Sequence, residues 1–146
     1  GTETFWDRST LYALRGTIAA GEVGRGMAFL KKYSQRRLLG DHVPYAIEAW
    51  PEGNQRHLSA ESGLYCRIYT EGLFGIRPTG LRSFEITPRL PQEWEFANLN
   101  RVRAFGADFD IQVKRAGGSK LAVTIVNGKK TIKKTISEGQ TITVRL

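Results

Sequence analysis

The segment Gly75-Ile76-Arg77-Pro78-Thr79-Gly80-Leu81-Arg82-Ser83-Phe84-Glu85-Ile86-Thr87-Pro88 marks the change of period on which the fold turns. Before it, apolar residues recur at helical intervals; after it, they alternate. Upstream, Leu11, Leu14 and Ile18 share one helix face, with Ser9 or Thr10 as the expected cap. Val23, Met27, Leu30 and Tyr33 then mark a second helix, which Gly40 is expected to stop. A third helix is predicted from near Ser59 to Phe74 with Leu64, Ile68 and Leu73 buried. It is apolar over much of its circumference, as a helix between neighbours would be. Downstream, Phe84 and Ile86 alternate, as do Phe109, Ile111 and Val113, then Leu121, Val123 and Ile125, and last Ile142, Val144 and Leu146. Gly117-Gly118 and Asn127-Gly128 are turn signals, the second favoured in two-residue type I′ hairpins. Helices first and strands after predict an α+β fold: about three N-terminal helices within residues 1–80, then an antiparallel β-sandwich or meander over residues 81–146. With no repeat, low-complexity tract or linker between them, the two parts are expected to pack directly on each other.

The chain has 146 residues, 40% of them hydrophobic, enough for one ordinary core or two small ones. No apolar run approaches the length of a membrane span, and Gly1-Thr2-Glu3-Thr4 lacks the charged and apolar regions of a signal peptide. Gly1 reads as a scar of tag removal, so natural upstream sequence is expected to have been cut away. Cys66, the single cysteine, lies in an apolar run and reads as a small buried hydrophobe. With Cys66, His42 and His57 alone no zinc-type ligand set can be assembled, and no metal or other cofactor is expected.

The net charge of +8 is uneven: ten basic residues face eight acidic ones through residue 80, and twelve face six beyond it. Much of the excess is Lys129, Lys130, Lys133 and Lys134 around the predicted hairpin, where lysines protect a sheet edge from pairing. Nucleic-acid binding is the rival explanation. It is disfavoured because no aromatic residues interleave with these lysines as a stacking platform requires. Lys31, Lys32, Arg36 and Arg37, near the end of the second helix, complement its dipole.

Between the second and third helices runs a loop rich in aromatic, charged and turn residues, too long and decorated for a mere connector. Tyr45 and Trp50 can offer flat apolar faces to pyranose rings; Glu48, Glu52, Asn54, Arg56 and His57 can form directional hydrogen bonds to hydroxyls. Hydrolysis of a glycosidic bond needs a carboxyl pair, in the inverting type roughly 6.5 to 9.5 Å apart so that a water fits between. Glu48 and Glu52 are the loop's candidates. Glu61, in the first turn of the third helix, can stabilise the helix dipole or reach a sugar pocket. Arg67 and Glu71, four apart, read as a surface pair.

Ile47-Glu48-Ala49-Trp50, Glu52-Gly53-Asn54, the helix Ala60 to Ile76 and the strand opening at Phe84 together resemble the end of the catalytic barrel in six-hairpin glycosidases, most closely bacterial α-L-rhamnosidases. There a helix ends in a Gly-Ile-x-Pro turn and a Phe-x-Ile-x-Pro strand opens a C-terminal β-sandwich; Gly75-Ile76-Arg77-Pro78 and Phe84-Glu85-Ile86-Thr87-Pro88 match both. Ile47 stands where that family usually has Trp, and Pro51-Glu52 is not a rhamnosidase feature, so the resemblance is to a separate branch of the group.

The resemblance implies the last helices of an (α/α)6 barrel followed by a β-domain, the C-terminal part of a glycoside hydrolase degrading poly- or oligosaccharides. It implies Glu48 as general base, with Glu52 as the alternative, and Trp50 as a wall of the sugar pocket. The acid partner would come from upstream, the piece alone would be inactive, and the parent would work in the periplasm or outside a bacterial cell. A non-catalytic carbohydrate-binding module using Tyr45 and Trp50 is the alternative. Barrel helices without neighbours are expected to leave Leu64, Ile68 and Leu73 facing another copy in a homodimer.

Overall fold

The computed structural model describes residues 5–39, 49–50 and 59–146, with the backbone alone for Phe5, Ala49, Trp50 and Ser59. The expected α+β order is present: three helices precede two antiparallel sheets. The chain divides into two compact units, Gly1–Gly72 and Leu73–Leu146.

In the first unit, α1 (Asp7–Ala19) buries Leu11, Leu14 and Ile18, as the spacing predicts. The helix starts before the expected caps. Trp6 is the N-cap residue and makes no side-chain capping bond, and Thr10 lies inside the helix, its hydroxyl donating to the Trp6 carbonyl at 3.2 Å. The early start has a tertiary cause: Asp7, the first helical residue, is anchored by α2 (Val23–Arg37). A short turn with Gly21 at φ 101° joins the two helices. Their approach is close at Gly26, where an added Cβ would lie 2.5 Å from Ile18 Cγ1. Val23, Leu30 and Tyr33 are buried on α2, and Met27 is half-buried. The helix ends at Arg37 with Leu38 as its C-cap residue, ahead of Gly40, which lies outside the described residues.

The third helix, α3 (Ser59–Arg67), continues as a wider π-helical stretch over Ile68–Leu73, so it spans almost the expected length. Leu64, Ile68 and Leu73 are buried within the chain. They therefore form no exposed face for a second copy; among the described residues of this unit, the exposed large apolar side chains are Trp6, Tyr12, Phe29 and Leu39. Cys66 is also corrected: it is exposed, because the buried side of α3 is the one carrying Glu61, Leu64 and Ile68. Arg67 and Glu71 do pair, at 3.0 Å, but Arg15 of α1 joins them at 2.9 Å, making a bridge between helices. Before α1, β1 (Phe5–Trp6) pairs antiparallel with β2 (Ala49–Trp50).

The second unit opens on the two matched landmarks, and they pack on each other. Gly75 (φ 64°) sits so close to Thr87 that an added Cβ would lie 2.5 Å from the Thr87 carbonyl oxygen. The Thr87 N–H donates to Phe74 O at 3.1 Å. A three-stranded sheet has the order β3 (Arg77–Gly80), β4 (Ser83–Ile86), β9 (Ile142–Arg145), so residues 77–80 belong with the strands. The four-stranded sheet is a consecutive meander of β5 (Phe96–Ala104), β6 (Ala107–Arg115), β7 (Lys120–Asn127) and β8 (Lys130–Ser137). The return of β9 to β4 makes the unit sandwich-like. Phe84 of the small sheet stacks on Phe105 at 4.8 Å and on Phe109 at 5.5 Å.

Two hairpins differ from expectation. Asn127 pairs with Lys130, so Gly128 and Lys129 are the loop residues, and only Gly128 has positive φ (56°). A type I′ turn needs positive φ at both central positions, so this is the II′ pattern. Both positions are positive instead in the β5–β6 turn, at Phe105 (φ 56°) and Gly106 (φ 68°). Phe105 is held in a conformation unusual for a bulky side chain by its place in the aromatic stack.

The lysines sit as expected: β8 is an edge strand, bonded to β7 only. Lys133 pairs with Thr124 and Lys134 with the buried Val123, so neighbouring lysines fall on opposite faces and no single basic stripe forms. Lys134 places a charge on the inner side of the edge, which blocks addition of another strand.

Candidate functional site

Asp7 lies one helical turn before Leu11, on the face that carries Leu11, Leu14 and Ile18, so the helix that buries those residues buries a carboxylate with them. Arg37 continues the Leu30–Tyr33 face of α2 in the same way. The two meet: Arg37 Nε lies 3.3 Å from Asp7 Oδ1, and the Tyr33 hydroxyl donates to Asp7 Oδ2 at 3.1 Å. Asp7 is fully buried and Arg37 is 3% exposed. Burial pushes the Asp7 carboxyl above its ordinary value, against the lowering pull of Arg37 and Tyr33; the nearby Glu61 carboxylate adds to the rise. Burial also raises Tyr33, with the Asp7 charge as the next cause, and lowers Arg37. Arg37 is thus a buried ion-pair partner, and the dipole explanation does not cover it.

A second pair adjoins the first. Arg8 Nε donates to Glu61 Oε1 at 2.7 Å, and Arg8 Nη2 lies 2.7 Å from the same oxygen. Glu61 is fully buried, and its Oε2 has no hydrogen-bond partner among the described residues. A hydroxyl seam continues along α2 and α3, with Ser34 Oγ 2.8 Å from Tyr65 Oη, which is 3.2 Å from Tyr69 Oη. Burial raises the Tyr69 phenol above its ordinary value, and its hydrogen bond with Tyr65 adds to the rise. Beside the Arg8–Glu61 pair opens a cleft of about 440 Å³ bordered by Arg8, Tyr12, Gly63, Leu64 and Arg67. A larger groove, about 670 Å³, runs along α1 and α2 past Leu14, Phe29 and Tyr33.

Of the residues expected to form a sugar site, Tyr45, Glu48, Glu52, Asn54, Arg56 and His57 lie outside the described residues, as does His42. Trp50 is described through its backbone: the β1–β2 register sets it opposite Phe5, and Ala49 opposite Trp6. The residue following Glu48 is therefore tied to the residue preceding Asp7. Glu61 is in the first turn of α3, as expected, with its carboxylate committed to Arg8. The sequence reading missed Asp7, Arg8 and Tyr33 as polar members of this cluster. The available signal was a charged residue in step with an apolar helix face, at positions 7 and 37.

Asp7, sealed from solvent and engaged on both oxygens, can anchor helices but cannot meet a substrate. Glu61 is sealed in the same way, paired with Arg8 through one carboxylate oxygen. Among the described residues no group of His, Cys, Asp and Glu could hold a metal ion. No helix among them is long and apolar enough to cross a membrane. Compared with models of known families, with curated proteins and with solved structures, the chain matches none.

Proposed function

We propose that this chain is the C-terminal part of a bacterial glycoside hydrolase of the six-hairpin kind, acting on poly- or oligosaccharides by an inverting two-carboxylate mechanism. In this scheme Glu48 is the general base that activates water, Glu52 is its alternative, and Trp50 and Tyr45 wall the sugar pocket. The carrying observation is the β1–β2 pairing, which ties the Trp50 end of the Glu48 loop to the start of α1, next to the Arg8–Glu61 pair. The order of elements, helices and then a sandwich, also fits the resemblance.

Three helices supply only part of such a barrel, so the acid partner would come from elsewhere in the parent. On a panel of aryl glycosides the 146-residue chain is expected to show no turnover. Glu48→Gln in the parent is expected to lower kcat by at least about a hundredfold with KM little changed. Clear turnover by the chain alone, or a near-normal rate for the variant, would remove the proposal.

A further inference from the structure

The four-stranded sheet leaves one face open, and its register says what that face carries. Ala97, Val113 and Val123 are buried on the inner side. The row Phe96, Lys114, Ala122, Thr135 and the next row, Asn98, Gln112, Thr124, Lys133, therefore lie on the outer side. Phe96 is 56% exposed, and Trp94, just ahead of the strand, 37%. Neither row contains a carboxylate. The Lys114 and Lys133 side chains have no hydrogen-bond or ion-pair partner among the described residues. The outward acids of β6 are engaged toward its other end: Asp108 pairs with Arg103 at 3.3 Å, and Asp110 accepts from the Arg101 N–H at 2.7 Å. Sheet spacing sets the Lys114 and Lys133 backbones roughly 12 Å apart, two strands and one row removed.

The aromatic end is held in place. Arg115 donates to the carbonyls of Leu90 (3.1 Å), Pro91 (2.8 Å) and Trp94 (3.0 Å), and it lies 3.6 Å from Glu138, whose Oε1 accepts from Leu90 N–H. This fixes the backbone at the entry to β5, where Trp94 and Phe96 stand exposed.

We propose that this face binds an acidic polysaccharide, with its carboxylates at Lys114 and Lys133, a pyranose ring on Phe96 or Trp94, and hydroxyls bonded by Asn98 and Gln112. Paired amides across a strand boundary offer both donors and acceptors, which suits hydroxyls. A nucleic acid fits less well. The aromatics stand at one end only, so successive bases have no stacking partners, and neither row has an arginine fork for phosphate. The site uses no residue of the Glu48 proposal and stands or falls apart from it.

Isothermal titration of the whole chain with oligogalacturonate, its methyl ester and a single-stranded oligonucleotide of matched length tests the assignment. Oligogalacturonate is expected to bind, with the methyl ester, Phe96→Ala and the double variant Lys114→Ser/Lys133→Ser each weakening binding about fivefold or more. The charge-matched Lys31→Ser/Lys129→Ser variant is expected to stay within about twofold. Absence of oligogalacturonate binding, an equal loss in that control, or tighter binding of the oligonucleotide would overturn the proposal.

Discussion

The helical unit and the β unit differ in what they bury: among the described residues, the helices add Asp7, Arg37 and Glu61 to an apolar core, and the sandwich buries no charged side chain. Polar contacts fasten the helices to one another: Asp7 of α1 to Arg37 and Tyr33 of α2, Arg8 to Glu61 of α3, and Arg15 to Glu71. The sandwich is closed by Phe84, Phe105 and Phe109, with Ile111, Val113, Leu121, Val123 and Ile125 beneath. A buried ion pair repays its desolvation only while both partners are present, whereas an apolar core loses stability in proportion to what is removed. The helical unit should therefore respond sharply to single polar changes, and the β unit should tolerate them.

The largest expected effect follows from breaking the buried pair. Asp7→Ala should cost about 3 to 5 kcal/mol, read as loss of helical circular dichroism at lower denaturant. In the β unit Phe84→Ala should cost a similar amount, about 3 to 5 kcal/mol, through a cavity in the aromatic stack. If Asp7→Ala proved as mild as a surface change, the contrast between the units would collapse.

Next in size is Gly26→Ala, which drives a methyl group into the fully buried Ile18 and should cost about 1 to 3 kcal/mol. A cost below about 0.5 kcal/mol in the same denaturation measurement would show that α1 and α2 separate easily.

Within the helical unit two carboxylates should give pH dependences of opposite sign. Glu71 is held below its ordinary value of 4.5, first by the Arg67 hydrogen bond. Its proton binds less readily in the folded chain, so its contribution is present above that value and lost as pH falls below it. Asp7 is raised above its ordinary 3.8 by burial, so its cost at neutral pH is relieved as pH falls toward 3.8. Stability measured against pH should show a shallower acid decline in Glu71→Gln and a steeper one in Asp7→Asn. The reverse pattern would invert the assignment.

The smallest effect on stability concerns the sheet edge. Lys134→Val should change monomer stability by no more than about 0.5 kcal/mol, yet promote concentration-dependent association visible by light scattering, because the inward charge on β8 is gone. A variant that stays monomeric would show that the edge is guarded by something other than Lys134.

Legibility differed between the units for a physical reason. Strands β4, β6, β7 and β9 were readable because one face is buried and the period is two. Strand β5 was not, because the bulge between Leu99 and Val102, with Arg101 at φ 55°, moves the inward positions from odd to even numbers and erases the alternation. The helices were readable from their apolar faces, but the start of α1 was not, since it depends on Asp7 being gripped by residues 26 and 30 positions away. Cys66 was misplaced because an apolar run in sequence becomes several faces once wound into a helix. Of the candidate site, the sequence marked Glu61 and Trp50 but not the Asp7, Arg8, Tyr33 and Arg37 cluster beside them.

What the amino-acid sequence determined by itself is the class of the molecule: periods of 3.6 and 2.0, turn glycines and the break near Pro78, all local consequences of side-chain direction along a helix or strand. Tertiary structure alone decided which charges are buried, which of two turn types each hairpin adopts, and which sheet face stays open. Each of these depends on what lies opposite a residue, and only packing brings distant segments face to face.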